Sequence, residues 1–213
     1  MTIEGLLTTR GRLLQAAQEL VEEGGYAAAS VIAIANRAGV ASGTLYRHWP
    51  SKGELFAQLF RSVCDREVAA MEAVAAELSQ RSGVERVETV LATFAERALR
   101  NPRLAWALIA EPVDPLVDAE RLAYRRQYAR QLSDGIQDAI VAGELPAQDA
   151  ELTAATLVGG VGEALVGPVS PLGGNSPGID EIVTALRTFA RRAIGAQERR
   201  GLRRSHGASS PPA

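Results

Sequence analysis

Leu13, Leu14, Ala17, Leu20 and Val21 recur at the three- and four-residue spacing of a single helical stripe, and Gly24-Gly25 ends the run. The same period continues along the chain, with no apolar–polar alternation and no Asn-Gly hairpin signal. An all-α fold is therefore expected. Helices are predicted over residues 9–23, 31–38, 42–49, 52–80, 84–100, 102–110, 116–142, 148–166 and 179–196. Ser30 is placed to cap the second, and Pro50 terminates the third. Ser51-Lys52-Gly53-Glu54 reads as a capping box that opens the fourth. Pro112 and Pro115 break the chain before the longest helix, where Tyr124, Tyr128, Leu132, Ile136 and Ile140 stand four apart. Residues 167–178 read as a Pro/Gly-rich connection. Ile182, Val183, Leu186 and Phe189 make the inward stripe of the last helix. The segment "QERRGLRRSHGASSPPA" (197–213) is polar and rich in small residues and reads as a disordered basic tail. The expected organisation is a small three-helix domain over 1–52, a larger helical domain over 53–196 and the tail.

Of the 213 residues, 46% are hydrophobic, enough for a sizeable core, but only 5% are aromatic, so that core is aliphatic. The net charge of −2 argues neither for nor against a nucleic-acid partner, and local charge must decide. Cys64 is the only cysteine, which rules out a disulfide framework within the chain and suits a reducing cytoplasm. No signal peptide is read, and no stretch of about 18 uncharged apolar residues qualifies as a membrane span. The two histidines, His48 and His206, leave no pattern for a histidine metal site, a Ser-His-Asp triad or a Cys-His pair. Gly159, Gly160 and Gly162 sit inside a helical pattern with no preceding strand, so they are not a phosphate loop. The expectation is a cytoplasmic protein that is not an enzyme and carries no metal or cofactor.

Between Ser30 and Gly53 there is no Asp or Glu, while Arg37, Arg47, His48 and the chain's single lysine, Lys52, fall there. The preceding helix carries Glu19, Glu22 and Glu23, so the exclusion is local. A surface that faces phosphates requires such an exclusion. Ala35, Gly39, Val40 and Leu45 have the spacing of a helix-turn-helix, with a small residue for close approach and a glycine for the turn. In the third helix Leu45 and Trp49 point inward. Ser42, Gly43, Thr44, Tyr46, Arg47 and His48 are left facing out, where Ser, Thr and Arg reach base edges and Tyr and His reach phosphate oxygens. Plainer readings stay open: Tyr46 packed on the first helix, His48 exposed without a role, Arg37 as a solvated charge or salt-bridge partner, and Arg10 and Arg12 solvated rather than forming an arm.

"AASVIAIANRA" followed by "GVASGTLYRHWPSKGELF" resembles the DNA-binding domain of the TetR family of bacterial transcriptional regulators, over residues 12–60. The resemblance implies that the third helix is the recognition helix, with Ser42, Thr44 and Arg47 facing bases. It implies backbone contacts from Tyr46 and His48, a phosphate contact from Lys52 aided by a positive helix N-terminus, and another from Ser30. Trp49 stands where the family more often has Phe, and Ile32 and Ala33 leave the second helix without a polar base reader. For the rest of the chain the resemblance implies a helical domain that binds a small molecule and dimerises through its last two long helices. It further implies a homodimer on a palindromic double-stranded DNA operator, released when an effector changes the spacing of the two recognition helices.

In the second domain Leu91, Phe94, Trp106, Ile109, Tyr124 and Tyr128 are the large groups available to line an effector pocket, and Glu111, Arg125 and Glu163 could meet a polar end. Adjacent Arg125 and Arg126 diverge by about 100° on a helix, poor geometry for one shared anion, so a mainly hydrophobic effector is expected. Gly159, Gly160 and Gly162 suggest close helix approach at a dimer interface shared with Ile182, Leu186 and Phe189. Two other readings compete: a small-molecule-binding or enzymatic helical protein with a vestigial helix-turn-helix, and a purely structural helical dimer.

Overall fold

The structure is a computed structural model that describes residues 8–173 and 177–196; the predicted basic tail lies outside the described residues. Eight α-helices and one 3₁₀ helix follow one another, with no strand among the described residues. Helix α1 (Thr9–Ala28) starts where the Thr8 hydroxyl accepts the Gly11 N–H. Its regular course breaks at Gly25 (φ 74°), at the glycine pair that the sequence marks as a stop. Helix α2 (Val31–Arg37) is capped by Ser30, whose hydroxyl accepts the Ala33 N–H at 3.1 Å. Gly39 (φ 67°) turns the chain into the next element.

That element, Ser42–Arg47, is a 3₁₀ helix rather than the α-helix expected over 42–49. Ala41 offers no side-chain cap, and Gly43 and the β-branched Thr44 are poor helix formers, so the short segment winds tighter. The capping box then opens α3 (Lys52–Glu77), with the Ser51 hydroxyl accepting the Glu54 N–H at 3.1 Å. Helix α4 (Gly83–Arg100) is followed directly by α5 (Pro102–Ile109), which begins with Asn101 as cap and Pro102 in the first turn. Asp114 caps α6 (Pro115–Val141), and Asp149 caps α7 (Ala150–Val169). Helix α8 (Ile179–Ala193) ends the described chain.

Helix α7 runs three residues past the predicted boundary, through Gly167 and Pro168, into the expected connection. Burial of Leu165 and Val169 on its inner face outweighs the weak helix propensity of that last turn. By length and composition α7 is apolar enough to cross a membrane, which the sequence reading did not anticipate. Its inner residues Ala154, Leu157, Val161 and Leu165 pack into the core, whereas Gly159, Gly160, Glu163 and Leu152 lie exposed.

Two apolar cores succeed each other along α3. The first gathers Leu13, Ile34, Leu45, Trp49, Leu55 and Phe56, and extends to Val117 and Tyr124 of α6. The second joins Met71, Leu91, Leu132, Ile136, Leu157 and Leu186. Tyr128 packs against both. The first core thus crosses the expected boundary at residue 52 and takes in α3 as far as Val68.

Gly25 and Gly39 share a left-handed backbone but differ in surroundings. A Cβ at Gly25 would stand 2.8 Å from Glu111 Oε1, whereas one at Gly39 would meet nothing within 4 Å. Gly39→Ala is therefore expected to cost only the backbone strain, about 1–2 kcal/mol. Gly25→Ala should cost more, because the clash also displaces Glu111. Denaturant unfolding of the two variants beside the wild type measures the difference, and equal losses would contradict the steric argument.

Candidate nucleic-acid interface and effector cavity

The helix-turn-helix is fixed from beneath. Leu45 is fully buried and Trp49 is 3% exposed, while Tyr46 is 56% exposed. The Trp49 indole N–H donates to Gln58 Oε1 of α3 at 2.7 Å, and the Arg10 guanidinium donates to the same oxygen. Arg10 also lies over the Trp49 ring, 5.3 Å from its centroid. Arg10 therefore braces Trp49 from α1, and the Trp in place of the usual Phe supplies a hydrogen bond as well as bulk. Gln58 was not foreseen as a partner. Only its place one turn beyond the capping box could have indicated that it faces the 3₁₀ helix.

Ser42, Gly43, Arg47 and His48 are exposed beside Tyr46, and Thr44 is partly exposed. Arg37 does not join them. Its guanidinium forks onto both Glu23 oxygens at 2.8 Å and reaches Glu19 at 3.5 Å, which holds Glu23 below the usual carboxylate range. Glu19 and Glu23 of α1 are thereby paired with α2. Arg47 has neither a hydrogen bond nor an ion pair among the described residues. Lys52, half-buried, places its ammonium 4.9 Å from the centroid of the Phe56 ring, and burial pulls its pKa below the ordinary lysine value. The positive N-terminus of α3 is not empty. A Cβ at Gly53 would lie 2.6 Å from Asp114 Oδ2, so that carboxylate rests against the first turn.

A cavity of about 390 Å³ opens between α3, α4, α5, α6 and α7. Of the groups singled out from sequence, Leu91, Phe94, Ile109, Tyr124, Arg125 and Tyr128 line it. Trp106, Glu111 and Glu163 do not. Leu104, Ala105 and Leu108 of α5 face the cavity instead, which turns Trp106 to another side of that helix. Both carboxylate oxygens of Glu111 accept the Tyr26 N–H, at 3.1 and 3.2 Å, because the chain break at Gly25 leaves that amide without a helical acceptor. Glu163 sits on the exposed side of α7. Gly162, read as an interface residue, lines the cavity, and Leu186 is buried in the second core, so neither belongs wholly to an outward face.

Phe60, Val63, Cys64 and Met71 of α3 complete the apolar wall. Their helical spacing was visible, but the sequence does not say which core the stripe faces. Tyr124 donates to Asp65 Oδ1 and to the Arg61 carbonyl. Burial pushes both tyrosine phenols upward and raises the Cys64 thiol to about 12. The inner wall is consequently neutral near pH 7.

Residues 13–59 match the family model described as bacterial regulatory proteins, tetR family. A transcriptional repressor, KstR of Rhodococcus jostii RHA1, is 35% identical over 99 residues, covering 46% of this chain and 45% of that protein. The chain thus spans about half the length of that curated relative. Solved structures match over nearly all of it. A TetR/AcrR-family transcriptional regulator from Thermobifida fusca YX-ER1 is 26% identical with a TM-score of 0.65, covering 89% of this chain and 98% of that one. The regulator FadR of Bacillus subtilis, solved with stearoyl-CoA, is 20% identical with a TM-score of 0.70, covering 88% and 98%, and shows the shared fold. Residues 13–59 are thus similar in sequence to the tetR family of bacterial regulatory proteins, and the helical body is similar in fold to a solved regulator of that family.

Proposed function

We propose that the protein is a homodimeric transcriptional repressor that leaves a palindromic operator when a hydrophobic small molecule fills the cavity. The observation that carries this reading is the exposed, acid-free face of Ser42–Arg47, held rigid by Leu45 and Trp49. Ser42, Thr44 and Arg47 would read base edges, and Gly43 would allow close approach. Tyr46, His48 and Lys52 would contact the backbone. Ser30 uses an oxygen lone pair as a cap but keeps its hydroxyl proton for a phosphate. With Asp114 beside the α3 N-terminus, the Lys52 contact would rest on the ammonium itself rather than on the helix dipole.

Two recognition elements fit one face of DNA only when about 34–36 Å apart, so a small change in domain angle removes high affinity. Two routes could carry strain from the cavity to that angle. Helix α3 lines the cavity and is built into the first core. Helix α5 lines the cavity and ends near Glu111, which holds Tyr26 of α1. The competing enzymatic and purely structural readings leave the exposed acid-free face without a purpose.

Arg47→Ala is expected to relax sequence preference and weaken operator binding by about 1–3 kcal/mol. Lys52→Ala should weaken all sequences alike and reduce the salt slope by about one. Mobility shifts on a selected palindrome across salt concentrations check both, and wild-type binding by both variants would refute the assigned surface.

Dimerisation would use the outward faces of α7 and α8. Leu152 (65% exposed) and Phe189 (45% exposed) are apolar there, and the Phe189 ring lies 3.6 Å from where a Gly160 Cβ would be. A Cβ at Gly159 meets nothing within 4 Å in the single chain. In a monomer Gly159→Leu would therefore strengthen the helix, by up to about 1 kcal/mol. In a dimer closed on this face it should dissociate the pair. Light scattering at micromolar concentration is expected to show a wild-type dimer and a variant monomer.

A further inference from the structure

The cavity is neutral inside and basic at its mouth. Five arginines line it, on α3, α4 and α6, against two carboxylates, Glu22 and Glu67. Two of the five are committed elsewhere. Arg97 forks onto Glu67, and Arg121 bridges Asp118 while donating to the carbonyls of Ala107, Leu108 and Glu111. That leaves Arg66, Arg100 and Arg125, all exposed, where the cavity meets solvent. Arg66 holds only the neutral groups of Gln18 and Ser62. Arg100 has one loose contact with Glu96 at 3.7 Å, and Arg125 has no hydrogen bond or ion pair among the described residues. Glu22, which accepts the Gln18 amide, is the one carboxylate at the cavity without a cation. The mouth therefore carries a surplus of positive charge, contributed by three helices that the sequence separates widely.

Arginine is weakly hydrated, always charged and shaped to fork onto phosphate or carboxylate oxygens. Three such groups around an apolar chamber suit a ligand with two ends. Resting on the effector reading above and deepening it, we infer that the effector is an amphipathic anion: its apolar body enters the cavity and its charged head group stays at the mouth, held by Arg66, Arg100 and Arg125. A neutral hydrophobe would fill the chamber but leave this charge unanswered. The objection that Arg125 and Arg126 diverge loses its force, because the partners of Arg125 come from α3 and α4.

The test separates body from head. The full-length protein is titrated, below micelle-forming concentrations, with dodecyl phosphate, dodecanoate and dodecanol, and with 2-naphthyl phosphate, 2-naphthoate and 2-naphthol. Affinity is read by calorimetry and operator release by mobility shift. At least one body is expected to bind about tenfold or more tightly with an anionic head than as its alcohol, the advantage shrinking with salt. The phosphate and carboxylate arms report which head is preferred. Arg100→Gln/Arg125→Gln is expected to abolish the anionic advantage while leaving affinity for the alcohols and melting temperature near wild type. Alcohols that bind as tightly as the anions, double-variant losses equal for charged and neutral probes, or no binding by any probe would each overturn the inference. Anion binding that depends on these arginines but leaves operator affinity unchanged would uphold the inference and refute the release mechanism. Failure of the apo protein to bind any operator would refute the repressor reading without touching the mouth.

Discussion

A six-residue segment with no cap cannot hold a helical shape on its own, because fixing the first turn costs more than its few hydrogen bonds return. The surface formed by Ser42–Arg47 exists because Leu45 and Trp49 are driven under it into the first core. Burying side chains of that size contributes about 1.5–3 kcal/mol each. The indole bond to Gln58 and the Arg10 guanidinium above the ring then fix the angle between the 3₁₀ helix and α3. Every outward residue of the segment takes its direction from those inward contacts. The tight winding also matters, since it sets which side chains share the exposed face.

The same core explains why the helix-turn-helix and the cavity are not mechanically independent. Helix α3 contributes Leu55, Phe56 and Phe60 to the first core and Met71 to the second, and the cavity lies along it between them. The opposite side of the first core is closed by α5 and the start of α6. There Glu111 satisfies an amide that the break at Gly25 leaves without a partner, and Asp114 lies against Gly53. An added methyl group on either glycine would displace the carboxylate it touches. Two carboxylates from one short connection thus grip the ends of α1 and α3, and whatever moves α5 acts on both.

The helical architecture was legible because its signals are local: Ser30, Ser51 and the prolines act on their own turns, and each marks an observed end to within a few residues. The inward placement of Leu45 and Trp49 followed from four-residue spacing alone. The tighter winding of 42–47 was not legible, since spacing cannot separate a short 3₁₀ helix from an α-helix. The end of α7 was missed because burial of Val169 is a tertiary fact that overrides Gly167 and Pro168. At the cavity the hydrophobic wall was half anticipated, and the polar choices fared worst. Glu111 was drawn away by an amide 85 positions earlier in the chain. The basic mouth was invisible because Arg66, Arg100 and Arg125 come to line one cavity only through the packing of three helices.

Charge shows the same dependence on fold. A net charge of −2 says nothing about either surface, since several of the chain's arginines are already engaged in joining its helices. Arg37 joins α2 to α1, Arg61 joins α3 to α6, Arg86 joins α4 to α6 and Arg97 joins α4 to α3. Such exposed pairs contribute little stability individually, but each cancels a carboxylate that would otherwise weaken a neighbouring positive surface. Glu23 is silenced beside the 3₁₀ helix in this way, and Glu67 is silenced at the cavity. What remains unpaired at those two places, Arg47 at one and Arg125 at the other, is positive by subtraction. The potential of each surface is thus set less by the cations it displays than by the fold's removal of the anions beside them.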